Sequence, residues 1–151
     1  MSIKLVKGIG RGTTELGAID NAMHSVGIHN QNMIYLSSVI PSENEVEIVE
    51  RWEDGKRWGS KLYVVMAYDT SVDKAEASIG WLYDDEGRGL FVEHSGKECR
   101  TQNVLTLHDL AKTRGMDKYE VDTHYQAVEA DGEWVCAMVV AVFEEEDWNT
   151  I

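Results

Sequence analysis

Residues 74–83 read Lys-Ala-Glu-Ala-Ser-Ile-Gly-Trp-Leu-Tyr. Ala75, Ala77, Ile79, Trp81 and Tyr83 fall at strict alternation, the period of a strand with one buried face, so the stretch predicts a strand and not a helix. Residues 61–68 (KLYVVMAY) and 89–94 (GLFVEH) on either side are rich in β-formers, and Asp84-Asp85-Glu86-Gly87 between them carries turn chemistry. Two further strands, 119–129 and 133–143, flank Asp131-Gly132, a hairpin signal. Towards the amino terminus, residues 2–7 alternate and predict a short first strand. Gly8-Ile9-Gly10-Arg11-Gly12 then reads as a loop, because closely spaced glycines favour one. Residues 32–40 (NMIYLSSVI) read as a single strand stopped by Pro41. Residues 42–60 read as an irregular acidic segment, with Glu53-Asp54-Gly55 as a turn and with Trp52 and Trp58 partly exposed.

Two helices interrupt the strands. Thr13 or Thr14 caps the first. Leu16, Ile19, Met23 and Val26 recur at steps of three and four, giving it an apolar face, and Gly27 ends it. The second covers 98–114, with Val104, Leu107 and Ala111 inward and Gly115 as its stop. The sum predicts one α+β domain over residues 1–151: a layered sandwich of mainly antiparallel β-sheet covered by helices.

Asp and Glu number 27 against 14 Lys and Arg, a formal net charge of −13. Such a chain repels nucleic-acid phosphates and favours cationic ligands. Cys99 and Cys136 make neither a C-x-x-C motif nor a disulfide framework, which predicts two reduced, buried thiols in a cytoplasmic protein. No window reaches the roughly 18 apolar residues of a membrane span. The five histidines lack metal-ligand spacing, so no metal is expected. The glycine loop lacks the third glycine of the dinucleotide fingerprint and is followed by sheet rather than βαβ alternation, which argues against a nucleotide site.

The chemistry-bearing stretch is Tyr35-Leu36-Ser37-Ser38-Val39-Ile40-Pro41. Two hydroxyls on an apolar β-rich run suit backbone self-cleavage. Ser38 Oγ attacks the Ser37 carbonyl, the resulting ester eliminates to dehydroalanine, and hydrolysis leaves a pyruvoyl group. This needs a tightly held peptide and a donor to the developing oxyanion; the Asn32 amide, on the same predicted strand, is a candidate.

Over nearly its whole length the chain resembles the pyruvoyl-dependent arginine decarboxylases. The resemblance is carried by Gly17-Ala18-Ile19-Asp20-Asn21-Ala22, by Val26-Gly27-Ile28-His29-Asn30 with Asn32, by Leu36-Ser37-Ser38-Val39-Ile40-Pro41, and by Leu90-Phe91-Val92-Glu93-His94-Ser95-Gly96-Lys97. It implies cleavage between Ser37 and Ser38 into chains 1–37 and 38–151, with Ser38 becoming a covalent pyruvoyl cofactor. It also implies that Asn32 assists near the processing site, that Asp20 holds the distal cation of the substrate, and that Glu93 returns a proton to Cα. The family's architecture implies a homotrimer with active sites between subunits, so that Asp20 serves a neighbouring protomer. The implied reaction converts L-arginine to agmatine and CO2 through a Schiff base. His94, Ser95 and residues 50–60 depart from the family pattern, which leaves ornithine and lysine as alternative substrates. An unprocessed, non-catalytic trimeric binding protein is the alternative of a different class.

Overall fold

The computed structural model describes residues 2–52 and 57–148; the expected turn at Glu53-Asp54-Gly55 lies outside them. Two sheets stack face to face, each with a helix on its outer side. Sheet A has the order β2 (Asn32–Tyr35), β5 (Lys61–Ser71), β9 (Trp134–Glu146), β1 (Ser2–Gly12), β4 (Glu45–Ile48). Sheet B has the order β3 (Val39–Ile40), β7 (Gly89–Ser95), β6 (Lys74–Tyr83), β8 (Asp122–Glu129). Sheet B is wholly antiparallel, whereas β4 and β2 run parallel to β1 and β5 at the two edges of sheet A. The expected α+β sandwich is the fold observed.

Alternation decides which layer each side chain joins. Along β9, Val135, Ala137, Val139 and Ala141 enter the core between the sheets, together with Ile79, Trp81 and Phe91 of sheet B. The intervening Cys136, Met138, Val140 and Val142 meet helix α1 (Glu15–Val26) on the other face. A strand buried on both sides is apolar without interruption, as residues 135–142 are. On the outside of sheet B, Leu82, Leu90 and Val92 pack against Leu107 and Ala111 of α2 (Cys99–Lys112). Cys99 and Cys136 are both free and buried.

The glycine segment expected to be a loop is instead the second half of β1. Gly8, Gly10 and Gly12 share one face of that strand, and α1 lies directly on it. A Cβ on Gly10 would sit 2.1 Å from the Ala18 carbonyl oxygen and 2.2 Å from the Ala22 nitrogen. The close approach also selects the helix face. Ala18, Ala22 and Val26 are its buried residues, while Leu16, expected inside, is 74% exposed. Thr14 is the cap, its Oγ1 accepting from the Gly17 N–H at 3.0 Å, and Gly27 closes the helix at φ 90°. Gly10→Ala is expected to force helix and strand apart and to cost about 1–3 kcal/mol, as overpacking typically does. A denaturant titration of the variant, read as a fall in midpoint, checks this.

Three other expectations change. Asp131-Gly132 does not close a hairpin, since β8 pairs only with β6, and β9 with β5 and β1. That turn crosses between the sheets, as does the one joining β5 to β6. Residues 45–48, expected to be irregular, form the edge strand β4, which the Lys4–Glu47 ion pair fastens to β1. Trp52 is buried and Trp58 exposed, where both were expected to be partly exposed.

Candidate active site

The expected strand over 32–40 is broken, and the break falls at the two serines. β2 pairs with β5 in sheet A, and the Leu36 N–H continues that ladder to the Val64 carbonyl at 2.8 Å. The next attachment is in sheet B, where the Ser38 carbonyl accepts from the Phe91 N–H at 2.7 Å and β3 pairs with β7. The Ser37–Ser38 peptide is therefore the step by which the chain passes from one sheet to the other. Neither the N–H nor the carbonyl of Ser37 has a backbone partner among the described residues. Ser37 is exposed and Ser38 half-buried. Clamps on both sides with a free carbonyl between them make the arrangement that attack by an adjacent hydroxyl requires, because the peptide is held while its oxygen remains open to a donor.

Glu93 belongs to the same edge. It lies two residues beyond Phe91 on β7, about 7 Å along the strand, and shares with Phe91 the face turned towards sheet A. β3 pairs only with Gly89 and Leu90 of β7, so the strand beside Glu93 is open on that side. The residue is exposed in the isolated protomer. Protein crowding its carboxyl still pushes the pKa above the ordinary glutamate value, with nearby His94 partly opposing the shift. His94 points the other way, towards α2, where its Nδ1 lies 2.7 Å from Oδ1 of the fully buried Asn103. Gly80 makes room for Asn103, because a Cβ there would come within 3.0 Å of Asn103 Cβ. Asn103 went unnoticed in the sequence, although its i, i+4, i+8 spacing with Leu107 and Ala111 marks that face.

Asp20 is not brought to Ser38 within one protomer. Asp20 is exposed on α1, which packs on β1, β9 and β5 on the far side of sheet A. Its carboxylate faces His24 Nε2 at 3.5 Å, and the His24 ring stacks on His29 with centroids 3.7 Å apart. Asn32 starts β2, where its side-chain amide donates to the Gly59 carbonyl at 2.8 Å. Ser38 lies beyond the end of β2, so the two residues do not share the one strand expected.

Beside the Ser37–Ser38 crossing is a cavity of about 450 Å³, walled by Leu36, Pro41, Tyr63, Phe143, Glu144 and Glu146 among others. Glu146 accepts from Lys61 Nζ at 2.9 Å and from Tyr63 Oη at 3.0 Å, which holds its carboxyl below the usual range. The sequence ended the last strand at residue 143, so the acidic lining went unrecognised. Among the described residues no three His, Cys, Asp or Glu side chains are grouped to hold a metal ion, and no helix is long and apolar enough to cross a membrane.

The profile of the family described as pyruvoyl-dependent arginine decarboxylase matches residues 2–148. The chain belongs to this family. A pyruvoyl-dependent arginine decarboxylase from Halobacterium salinarum is 33% identical over 153 aligned positions, covering 96% of this chain and 95% of the relative. Proteins of the same description from Methanocaldococcus jannaschii and Methanopyrus kandleri are 29% and 27% identical, covering 74% and 92% of this chain and 68% and 93% of the relatives. The matched span takes in all four segments that carried the resemblance, including the Ser37–Ser38 crossing and the Glu93 edge. Family members require a pyruvoyl group, and the local structure suits one. Ser38 is fastened by its own carbonyl to Phe91 in sheet B.

Proposed function

We propose that the protein is a self-processing decarboxylase that converts L-arginine to agmatine and CO2, with a pyruvoyl group made from Ser38. The observation that carries this reading is the position of the Ser37–Ser38 peptide, unpaired between two clamped ends and beside Glu93. In processing, Ser38 Oγ adds to the Ser37 carbonyl, the C–N bond breaks, and the acyl group passes to oxygen. Loss of the Ser37 carboxylate leaves dehydroalanine at position 38, and water then replaces its nitrogen, which departs as ammonia. Separation of the two ends meets little resistance, since residue 37 has no ladder bond to lose.

The pyruvoyl carbonyl supplies the electron sink for the pair released as CO2 leaves. The chain's own residues do the rest. Phe91 N–H holds position 38, and Glu93, whose pKa is raised by its surroundings, delivers a proton to Cα from its acid form. Asp20 takes the guanidinium through two charge-assisted hydrogen bonds. Asp20 lies on the outer side of sheet A while Ser38 is attached to sheet B, so Asp20 serves a neighbouring protomer, in a homotrimer with its active sites between subunits, and Asn32 assists near the processing site. Leu16, Tyr35 and Val39 support such contacts, because they are large apolar side chains exposed at 74%, 62% and 60% close to Asp20 and Ser38 in sequence. Ornithine and lysine carry a compact ammonium in place of the planar fork, and a bidentate carboxylate favours arginine over both.

The test is an intact-mass measurement of freshly purified protein. Two chains are expected, residues 1–37 and residues 38–151, the larger one blocked to amino-terminal sequencing and forming a hydrazone with phenylhydrazine. A single unmodified chain would instead support the non-catalytic binding protein.

A further inference from the structure

The surface around Asp20 holds an element that the reaction does not call for. His24, one turn along α1, places Nε2 3.5 Å from Asp20 Oδ2. His29, in the loop leading to Asn32, lies flat against the His24 ring at an interplanar angle of 20°. Arg51, in the segment after β4, reaches over and donates through Nη1 to the His24 carbonyl at 2.6 Å. Among the described residues, Asp20, His29 and Arg51 are thus the charged and titratable groups facing His24, from its own helix, the following loop and the segment after β4.

We infer that His24 is a pH-dependent competitor for Asp20: its protonated ring occupies the carboxylate that otherwise takes the substrate's distal cation. The inference rests on the assignment of Asp20 as the cation site and adds its regulation. The geometry makes the competition direct. A bidentate guanidinium needs both Asp20 oxygens, and the His24 ring four residues on already stands within ion-pair range of one of them. His29 is the ring on which charge is disfavoured. Burial, the adjoining His24 and Arg51 all hold the His29 pKa below its ordinary value, and its Nδ1 is buried with no hydrogen-bond partner among the described residues. His29 therefore acts as a neutral platform that fixes the His24 ring towards Asp20. His24 is a positioning residue that touches neither the carbonyl nor Cα.

The test uses ethylguanidinium, which carries the distal cation but has no amine to react with a carbonyl. Its inhibition of arginine turnover by the purified, processed protein is measured from about pH 7.5 to about pH 5.5, across the imidazole range. Alongside this, the His24 ring resonance is titrated by NMR. In the wild type the affinity for ethylguanidinium is expected to fall about two- to fivefold on acidification, the worth of an exposed ion pair. His24→Gln should abolish that fall, and by reciprocity saturating ethylguanidinium should lower the His24 pKa. Asp20→Asn should weaken binding at both ends of the range and remove the effect of the His24 substitution. An equal pH dependence in wild type and His24→Gln, with Asp20→Asn still weakening binding, would overturn the competition alone. No loss of binding in Asp20→Asn would instead overturn the cation-site assignment beneath it.

Discussion

Ser38→Ala is expected to yield one intact chain with no decarboxylase activity, a loss with no residual partial phenotype. In the proposed mechanism the hydroxyl is the nucleophile for chain cleavage and the oxygen whose elimination creates the unsaturated residue, so its removal would prevent every later step. No water-derived bypass is available to a peptide bond at neutral pH on the timescale of expression. The fold should survive. The Ser38 hydroxyl has no hydrogen-bond partner among the described residues, and the clamp at this position uses the backbone carbonyl, which alanine keeps. Intact mass, hydrazone formation and CO2 release measure the outcome, and circular dichroism establishes that the sheets remain. Cleavage at the same bond in the alanine variant would remove Ser38 from the mechanism. An intact chain that still released CO2 would remove the carbonyl itself.

Glu93→Gln should process normally and lose about 10²–10⁴-fold in kcat, the usual worth of a positioned general acid. Glutamine preserves shape and hydrogen-bonding reach but has no proton to give. The wild-type pH profile carries the same signature with a defined sign. Desolvation raises the Glu93 pKa above the ordinary glutamate value, so the acid form persists to higher pH than for a solvated glutamate. kcat should therefore hold at low pH and fall as pH rises through that raised value. In Glu93→Gln the residual rate should lack this descending limb. Pre-steady-state kinetics would show whether release of CO2 or return of the proton is slowed. An unchanged kcat, or a descending limb that persists in the variant, would place the acid elsewhere on the Phe91–Ser95 edge.

The contrast between β6 and β1 shows what made parts of this molecule legible. Strand β6 was found to the residue, because Ala75, Ala77, Ile79 and Trp81 all enter one core while the strand's ends are exposed. Alternation is a local property and needs no knowledge of the partner strand. Gly8, Gly10 and Gly12 alternate just as strictly, but with no side chains they carry no hydrophobic signal. Their meaning lies in the backbone of α1 pressing on them, which no local period reports. The same reason hid the buried face of α1. Leu16 is the more apolar residue, yet Ala18 and Ala22 are the residues set against Gly10 and Gly12, and Leu16 stays outside.

For the candidate site, the sequence by itself determined the chemical inventory: a Ser37–Ser38 pair on a β-rich run, a carboxylate at 93 on a strand, another at 20 on a helix, and a family likeness that joins them. The tertiary structure decided how these are arranged. It broke the strand at the serines, set Glu93 beside the break, and left Asp20 on another surface. Hydrophobic periodicity fixes which side chains share a face, because it acts over a few neighbouring residues. The sheet a strand joins is settled by partners tens of residues away. Phe91 accordingly captures Ser38 in one sheet while Val64 holds Leu36 in the other, and no reading of residues 32–40 alone contains that divergence.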